Sequence, residues 1–300
     1  MDFFLLDPFF WENVVSGILT GLMYALVALG FVLIYKSTDA INFAQGEFVM
    51  IAGIIIAALS TDYGVPVLIG LALALGFMIL FNVGLERVVL RPMIGRPVVA
   101  IIMATIGLAA FLQGLGPLVF GATTRAIDLG IPDRPVIIAD IYMAPINLVG
   151  AAVAIVFFVI FGWFFIKSRK GVALRAVADS HQVSMAMGIN VERYFVLSWS
   201  MAGVVAVLGG LLWGVAIGVD NTLALIGLKV FPVVILGGLD SIVGCIVGGI
   251  IVGVVEAMGA TYLDPLVGGG TKDFLPYVVM ILVLMVRPYG LFGKHIIERV

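Results

Sequence analysis

The polar side chains that could do chemistry in this sequence stand in two short groups, each directly before a long apolar run. Asn42, Gln45 and Glu47 precede one run, and Asp240 and Ser241 precede another. Polar groups are costly to bury among apolar residues, so they are candidates for contacting a polar ligand. Each could equally make an interhelical hydrogen bond or cap a helix. The neighbouring residues that would kink or line the chain at these points are Phe43, Gly46, Gly237 and Gly238.

Enzymatic chemistry has little support in the sequence. His181 and His295 are the two histidines, and neither stands in an HExxH pattern. A GxSxG turn, paired Cys/His metal spacing and the GxxxxGK[ST] phosphate loop do not occur either. We therefore expect a non-enzymatic chain with no catalytic residue, no metal and no bound cofactor. If ATP powers its work, the ATP is bound by another polypeptide.

The longest polar interruption is the basic segment, residues 167–193, which carries five of the 16 Lys and Arg residues. Its apolar residues recur at helical spacing from Leu174 to Gly188, with Met185 on the same face. Ser180 is a suitable N-cap for a second short helix, and Gly188 is a suitable terminator. We therefore predict two short helices with a hinge at Ser180. Such a segment could rest on anionic lipid or offer a docking surface to a soluble partner.

Composition indicates what must position these groups. The chain has 300 residues, of which 63% are hydrophobic and 11% charged, less than half the charged share usual in soluble domains. Several segments run for about 18 or more nearly charge-free residues, the length that crosses roughly 30 Å of hydrocarbon. The apolar runs are continuous instead of alternating, which is typical of helices and not of β-barrels. We expect an all-α polytopic membrane protein.

The apolar runs predict eight full transmembrane helices plus one short or broken helix. The full spans are 12–35, 46–59, 67–85, 98–119, 146–166, 194–218, 242–260 and 274–286. The segment 223–236 is too short and too interrupted by Lys229 and Pro232 to be an ordinary span. The loop 120–144 contains short apolar runs and could carry a hairpin.

The distribution of Lys and Arg predicts which side each loop faces. Basic clusters lie at 87–96, 167–175 and 287–299, and these should be cytoplasmic. Loops with acidic residues at 62, 128–140 and 264 then fall outside. We predict an external N-terminus, a cytoplasmic C-terminus and an external loop 120–144.

Small residues and two similar stretches bear on how the helices assemble. Glycines four apart, such as Gly17 with Gly21 and Gly249 with Gly253, favour close helix packing within the chain over contact with another copy. The stretches 41–56 and 235–251 each place a polar, glycine-containing kink before an apolar span, which raises the option of an internal repeat.

Three stretches of the sequence carry a resemblance to a known family. They are GVALRAVADSHQVSMAMGIN (171–190), GLMYALVALGFVLIYKSTDAINFAQGEFVMIAG (21–53) and ILGGLDSIVGCIVGGIIVGVVEA (235–257). In this order, they resemble the cytoplasmic coupling loop, the N-terminal signature and the C-terminal signature of permeases of the branched-chain amino-acid ABC importers. Together they span most of the chain in the family's order, and the length resembles the shorter of two paralogous permeases.

The resemblance implies one transmembrane permease domain over residues 1–300 in the inner (plasma) membrane of a bacterium. Its partners would be membrane lipid, a second permease, two ATP-binding subunits that carry ATP and Mg, and an extracytoplasmic solute-binding protein received partly by the external loop. No nucleic acid is implied. Coupling to the ATPases would fall to Gly171, Leu174, Arg175, Ala178, Ser180 and Gly188. The two groups of polar and kink-forming residues named first would line the translocation path or kink its helices.

The sequence leaves the substrate open. Branched-chain amino acids are the default of this family, while related permeases move other amino acids, urea or short amides. A reading from another class is an ion-coupled secondary transporter, which would work without ATP. The polar residues cluster at span ends, which disfavours intramembrane ion sites and therefore this second reading.

Overall fold

The computed structural model describes residues 8–93, 96–132, 134–138 and 140–294. The helices in this part of the chain are α1 (Pro8–Thr38), α2 (Gln45–Thr61), α3 (Val67–Leu85), α4 (Val98–Phe120), α5 (Pro145–Lys167), α6 (Arg169–Asp179), α7 (His181–Ala186), α8 (Val191–Ile217), α9 (Leu225–Gly237), α10 (Ile242–Met258), α11 (Asp264–Val267) and α12 (Thr271–Val286). π-Helical turns extend α3 over Glu86–Leu90 and α10 over Gly259–Leu263, and 3-10 turns cover Arg91–Met93 and Asn221–Ala224.

The expected hairpin in the loop 120–144 is present. Strands β1 (Val136–Ile138) and β2 (Ile141–Met143) pair antiparallel, with Ile137 opposite Tyr142. Both of these side chains are exposed.

Six helices in the described residues are long and apolar enough to cross a membrane, which confirms a polytopic helical membrane protein. The count of eight full spans is not reached. Helices α2 and α12, counted as full spans from the sequence, have 17 and 16 residues. Helix α2 is longer than the span predicted at 46–59, but it stops at 17 residues because residues 39–44 before it are not helical and a turn follows Thr61. Residues 295–299 of the basic C-terminal cluster lie outside the described part.

The chain divides into two compact units. One unit comprises the chain up to Ala28, Gly130–Ile155 and Leu228 onward, and the other comprises Leu29–Leu129 and Val156–Gly227. The single-domain assignment and the side of the membrane on which each loop lies stay predictions.

In the first unit, α1 and α10 approach through glycines, as the spacing predicts. A Cβ atom at Gly21 would lie 2.4 Å from the carbonyl oxygen of Gly249, and one at Gly253 would lie 2.2 Å from that of Gly17. Contacts this short leave no room for any side chain. The glycines four apart therefore pack within the chain.

In the second unit, α2 is the central helix and packs against α3, α4 and α8. The ring of Phe48 meets Trp199 edge-on at 6.2 Å between centroids. At Gly210 a Cβ would lie 2.6 Å from the carbonyl oxygen of Val49, so α2 and α8 touch through their backbones. This packing holds the start of α2 close to α8.

Candidate functional site

The basic segment folds as two short helices, as its sequence predicts. Helix α6 is capped by Ser168, whose Oγ accepts a hydrogen bond from the Gly171 N–H at 2.8 Å. Ser180 is extended, with φ −163°, and its Oγ accepts from the Val183 N–H at 3.3 Å, which starts α7. The hinge at Ser180 is therefore confirmed as a geometric feature. Gly188 follows α7 with φ +80°, a conformation that favours glycine.

Helix α6 is seated on the end of α5 by an approach that only glycine permits. A Cβ at Gly171 would lie 2.4 Å from the carbonyl oxygen of Phe164. One and two turns further on, Leu174 and Val177 are buried, and Ala178 is half-buried. The buried side of α6 is therefore the side that begins with Gly171.

Arg175 and Lys36 share one aromatic ring. The Arg175 guanidinium carbon lies 5.7 Å from the Phe165 ring centroid, and the Lys36 ammonium lies 5.5 Å from the same centroid. Arg175 also donates a hydrogen bond through Nη2 to the carbonyl oxygen of Ile166 at 3.2 Å. Phe165 is buried and both cations are half-buried, and cation–π contacts contribute about 0.5–1 kcal/mol at exposed sites and about 2 kcal/mol when desolvated. Arg175 therefore ties α6 to the last turn of α5.

His181 ties α7 to the last turn of α1. Its Nε2 lies 2.9 Å from the carbonyl oxygen of Ser37, and its ring meets Phe195 of α8 edge-on at 5.4 Å. Neither Ser37 nor Phe165 carries a signal that links it to the basic segment in the sequence. Sequence reasoning missed both for that reason.

The single apolar face predicted from Leu174 to Gly188 is wrong beyond the hinge. The extended conformation of Ser180 breaks the helical register, so Ser184 is buried whereas Met185 is 58% exposed. The exposed apolar side chains of the segment are Val172, Val183, Met185 and Met187. Apolar side chains exposed among basic residues are typical of a surface that another molecule covers.

The first polar group lies at the start of α2. Asn42 Oδ1 accepts a hydrogen bond from the Ala44 N–H at 3.1 Å, and Gln45 Nε2 donates to the Ala202 carbonyl oxygen at 3.4 Å. Both side chains are buried, yet Asn42 Nδ2 and Gln45 Oε1 have no partner among the described residues. Unpaired buried polar atoms are costly, so this group has spare capacity to bind a polar solute or water.

The other residues of that group shape the chain around it. The Phe43 N–H donates to Thr105 Oγ1 at 3.3 Å. A Cβ at Gly46 would lie 2.2 Å from the Ala224 carbonyl oxygen, so glycine is needed there. Glu47 is half-buried in the first turn of α2.

The second polar group lies in the first unit, in the break before α10. Ser241 caps α10, because its Oγ accepts from the Gly244 N–H at 2.9 Å. Gly238 has φ +104°, and a Cβ at Gly237 would lie 2.2 Å from the Gly244 carbonyl oxygen. The carboxylate oxygens of Asp240 accept from the Lys294 N–H at 3.2 and 3.3 Å. Ser241 and Asp240 therefore both bind backbone groups.

A cluster of charges in the first unit was not predicted. Lys229 Nζ lies 3.1 Å from Glu256 Oε1 and 2.9 Å from Asp273 Oδ1, which joins α9, α10 and α12. In the sequence, Lys229 only marks an interruption of the apolar run 223–236, and Glu256 lies in the separate apolar run 242–260. Their pairing depends on contacts between separate helices, which spacing does not reveal.

The described fold is that of a polytopic helical membrane protein with a basic segment and two breaks that each precede an apolar helix. The sequence profile of the family described as "Branched-chain amino acid transport system / permease component" matches residues 13–284. The chain therefore belongs to this family.

Several curated relatives match over nearly their whole length. The chain is 32% identical to the high-affinity branched-chain amino acid transport system permease protein LivH of Escherichia coli K12, covering 97% of this chain and 98% of the relative. It is 31% identical to the permease protein BraD of Pseudomonas aeruginosa PAO1, covering 96% and 97%. It is 30% identical to a probable branched-chain amino acid transport permease protein LivH of Methanocaldococcus jannaschii, covering 93% and 91%.

A solved structure shares the fold. It is titled "PsaBC from Streptococcus pneumoniae in complex with Fab", and its matching chain has a TM-score of 0.50 at 14% identity, with 90% of each chain covered. At this identity the likeness concerns the fold alone.

Proposed function

We propose that this chain is the membrane permease subunit of an ATP-binding-cassette importer that moves branched-chain or related small amino acids into the cytoplasm. The observation that carries the proposal is the match to this permease family over residues 13–284. The near full-length match to relatives named as branched-chain amino acid permease proteins supports the substrate class.

The proposed assembly contains a second, paralogous permease, two ATP-binding subunits and an extracytoplasmic solute-binding protein. ATP and Mg are bound and used by the ATP-binding subunits, and this chain contributes no cofactor. The chain lies in a bacterial inner membrane with its N-terminus outside and its C-terminus in the cytoplasm. Helices α2 and α12 cross the membrane as well. A helix of 17 residues is about 26 Å long, and α2 is largely buried, so it need not match the lipid thickness.

The basic segment is the proposed docking surface for the ATP-binding subunits. Its exposed apolar side chains, such as Met187 at 77%, would be covered by the partner. Its other side is fixed to α5 by Gly171 and Arg175 and to α1 by His181. Displacement of the segment by the partner would therefore move helix ends directly.

The non-helical residues 39–44 and the start of α2 form the proposed polar stretch of the translocation path. The unpaired Asn42 Nδ2 and Gln45 Oε1 support this role, because a zwitterionic solute needs both a donor and an acceptor. Asp240 and Ser241 are proposed to shape the path by kinking the chain before α10, since their side chains bind backbone groups.

Reconstitution tests the proposal. The chain is co-expressed with the two ATP-binding subunits, second permease and binding protein of the proposed assembly and placed in proteoliposomes. We expect uptake of radiolabelled leucine that requires both ATP and the binding protein. Uptake driven by an ion gradient without ATP would favour a secondary transporter. ATP-dependent uptake of urea or acetamide without uptake of leucine would change the proposed substrate class from amino acids to urea or short amides.

A further inference from the structure

A cavity of about 170 Å³ lies in the second unit, beside the basic segment. This volume exceeds the roughly 10–15 Å³ that holds one water molecule by more than tenfold, so the cavity has room for a small organic molecule. The residues on which its chemistry depends are Asp39, Glu86, Arg96, His181, Phe195 and Trp199.

Two of the residues that line the cavity carry hydrogen-bond donors without a protein acceptor. Trp199 is 1% exposed, and its indole Nε1–H has no partner among the described residues. Arg96 is exposed, and its guanidinium forms no ion pair within the described part of the chain. An indole N–H and a guanidinium both suit a carboxylate.

The cavity also offers negative charge. Asp39 has a left-handed backbone conformation, with φ +53°, and its side chain is exposed at the cavity. Glu86 is buried but already paired, because Arg91 lies 3.2 Å from its Oε2. Asp39 is therefore the carboxylate available to an ammonium group.

The rest of the wall consists of the hydroxyl-bearing Thr38 and the apolar residues Leu90, Val98 and Ile101. Apolar walls with a few placed polar groups are typical of small-molecule sites. We propose that the cavity binds a small apolar α-amino acid. Its carboxylate faces Trp199 and Arg96, its ammonium faces Asp39, and its side chain lies against the apolar wall.

The position of the site connects it with the basic segment. His181 is the first residue of α7 and also lines the cavity. A ligand held there would contact the residue that ties α7 to Ser37, so occupancy would influence how the segment moves. The choice of an amino acid as ligand rests on the proposed function, whereas the cavity and its charges do not.

Calorimetric titration of L-leucine into the full chain in lipid nanodiscs tests the site. Saturable binding is expected, and Arg96→Gln and Trp199→Phe should each weaken it about tenfold or more, since each removes a donor to a charged group. Phenylalanine at 199 keeps an aromatic ring against Phe48. Arg87→Gln is the matched control, because Arg87 does not line the cavity, and it should leave leucine affinity within about twofold.

Analogues test the ligand chemistry. L-leucinamide lacks the carboxylate and isovalerate lacks the ammonium, so both should bind more weakly than leucine. The site is overturned if the wild type binds no leucine. It is also overturned if both cavity variants unfold at the wild-type temperature and bind leucine with the wild-type affinity. If the assembled transporter moves leucine but the chain binds none, this inference alone fails. If the chain binds leucine at the cavity but the transporter moves none, the proposed function alone fails.

Discussion

Replacing Gly171 with alanine tests how the basic segment is seated on α5. The new Cβ would lie 2.4 Å from the Phe164 carbonyl oxygen and 2.7 Å from that of Phe165, whereas ordinary contact begins at 3.4 Å. Both obstacles are backbone atoms, so α6 has to move away from α5. Overpacking of this kind costs about 1–3 kcal/mol. Such a cost shifts the equilibrium between a docked and a displaced segment by about 5- to 150-fold.

The assay is the amount of leucine transported per ATP hydrolysed in the reconstituted importer. We expect Gly171→Ala to lower this ratio while ATP hydrolysis continues, because the ATPases would press on a segment that no longer moves with α5. Hydrogen exchange in α6 should be faster for the same reason.

Gly162→Ala is the matched control for this change. It lies in α5, and its Cβ would meet nothing within 4 Å. Alanine favours helix by about 1 kcal/mol over glycine, so this variant should be at least as stable as the wild type. A wild-type transport ratio and wild-type exchange in Gly171→Ala would refute the reasoning that this contact transmits force.

Three further predictions concern other contacts. Gly253→Val should lower the thermal unfolding temperature in detergent, because its Cβ would lie 2.2 Å from the Gly17 carbonyl oxygen and overpacking costs about 1–3 kcal/mol. Ser180→Ala should speed hydrogen exchange in α7 by about 2- to 30-fold, since loss of an N-cap costs about 0.5–2 kcal/mol. The pKa of Asp62 is lowered from its usual 3.8, mainly by its hydrogen bond with Arg125. A carboxylate whose pKa is lower in the folded protein contributes stability at pH values above its usual pKa. This stability is lost as the pH falls through the pKa of the folded state. Acidification below about pH 4 should therefore destabilise the wild type more than Arg125→Gln.

Each of these predictions has a control and an outcome that contradicts it. Gly114→Val is the control for Gly253→Val, because a Cβ at Gly114 would meet open space. An equal fall in the unfolding temperature of both variants would contradict the packing argument. Ser60→Ala changes a hydroxyl in α2 and should leave α7 exchange unchanged. Unaltered exchange in Ser180→Ala would show that the cap is dispensable. Parallel pH curves for the wild type and Arg125→Gln would mean that the ion pair does not link stability to pH.

Local features of the fold could be predicted from the sequence because their causes are local. Helix α3 occupies residues 67–85, as its apolar run indicates. The hinge at Ser180 follows from the capping ability of a serine side chain. The hairpin around residue 140 follows from short apolar runs in a long loop. In each case neighbouring residues alone decide the conformation.

Features that depend on distant residues could not be predicted. Lys229 is 27 residues from Glu256 in sequence and meets it only because α9 and α10 pack together. The contact of His181 with Ser37 spans 144 residues. The apolar face of the basic segment was predicted past Ser180 because helical periodicity was carried through a residue that is extended. A residue that caps a new helix has an extended backbone, so a continuous helical face cannot pass through it. At Ser180 the structure has the cap and not the continuous face.

The contacts of the basic segment explain why it can transmit movement. Glycine contacts such as that of Gly171 resist compression steeply, because two backbones already touch. Hydrogen bonds from Arg175 to the end of α5 and between His181 and the end of α1 resist separation instead. His181 also packs on Phe195 in the first turns of α8. A push on the exposed side is therefore resisted by the backbone contact and a pull by the hydrogen bonds, so in either direction the ends of α1, α5 and α8 must follow.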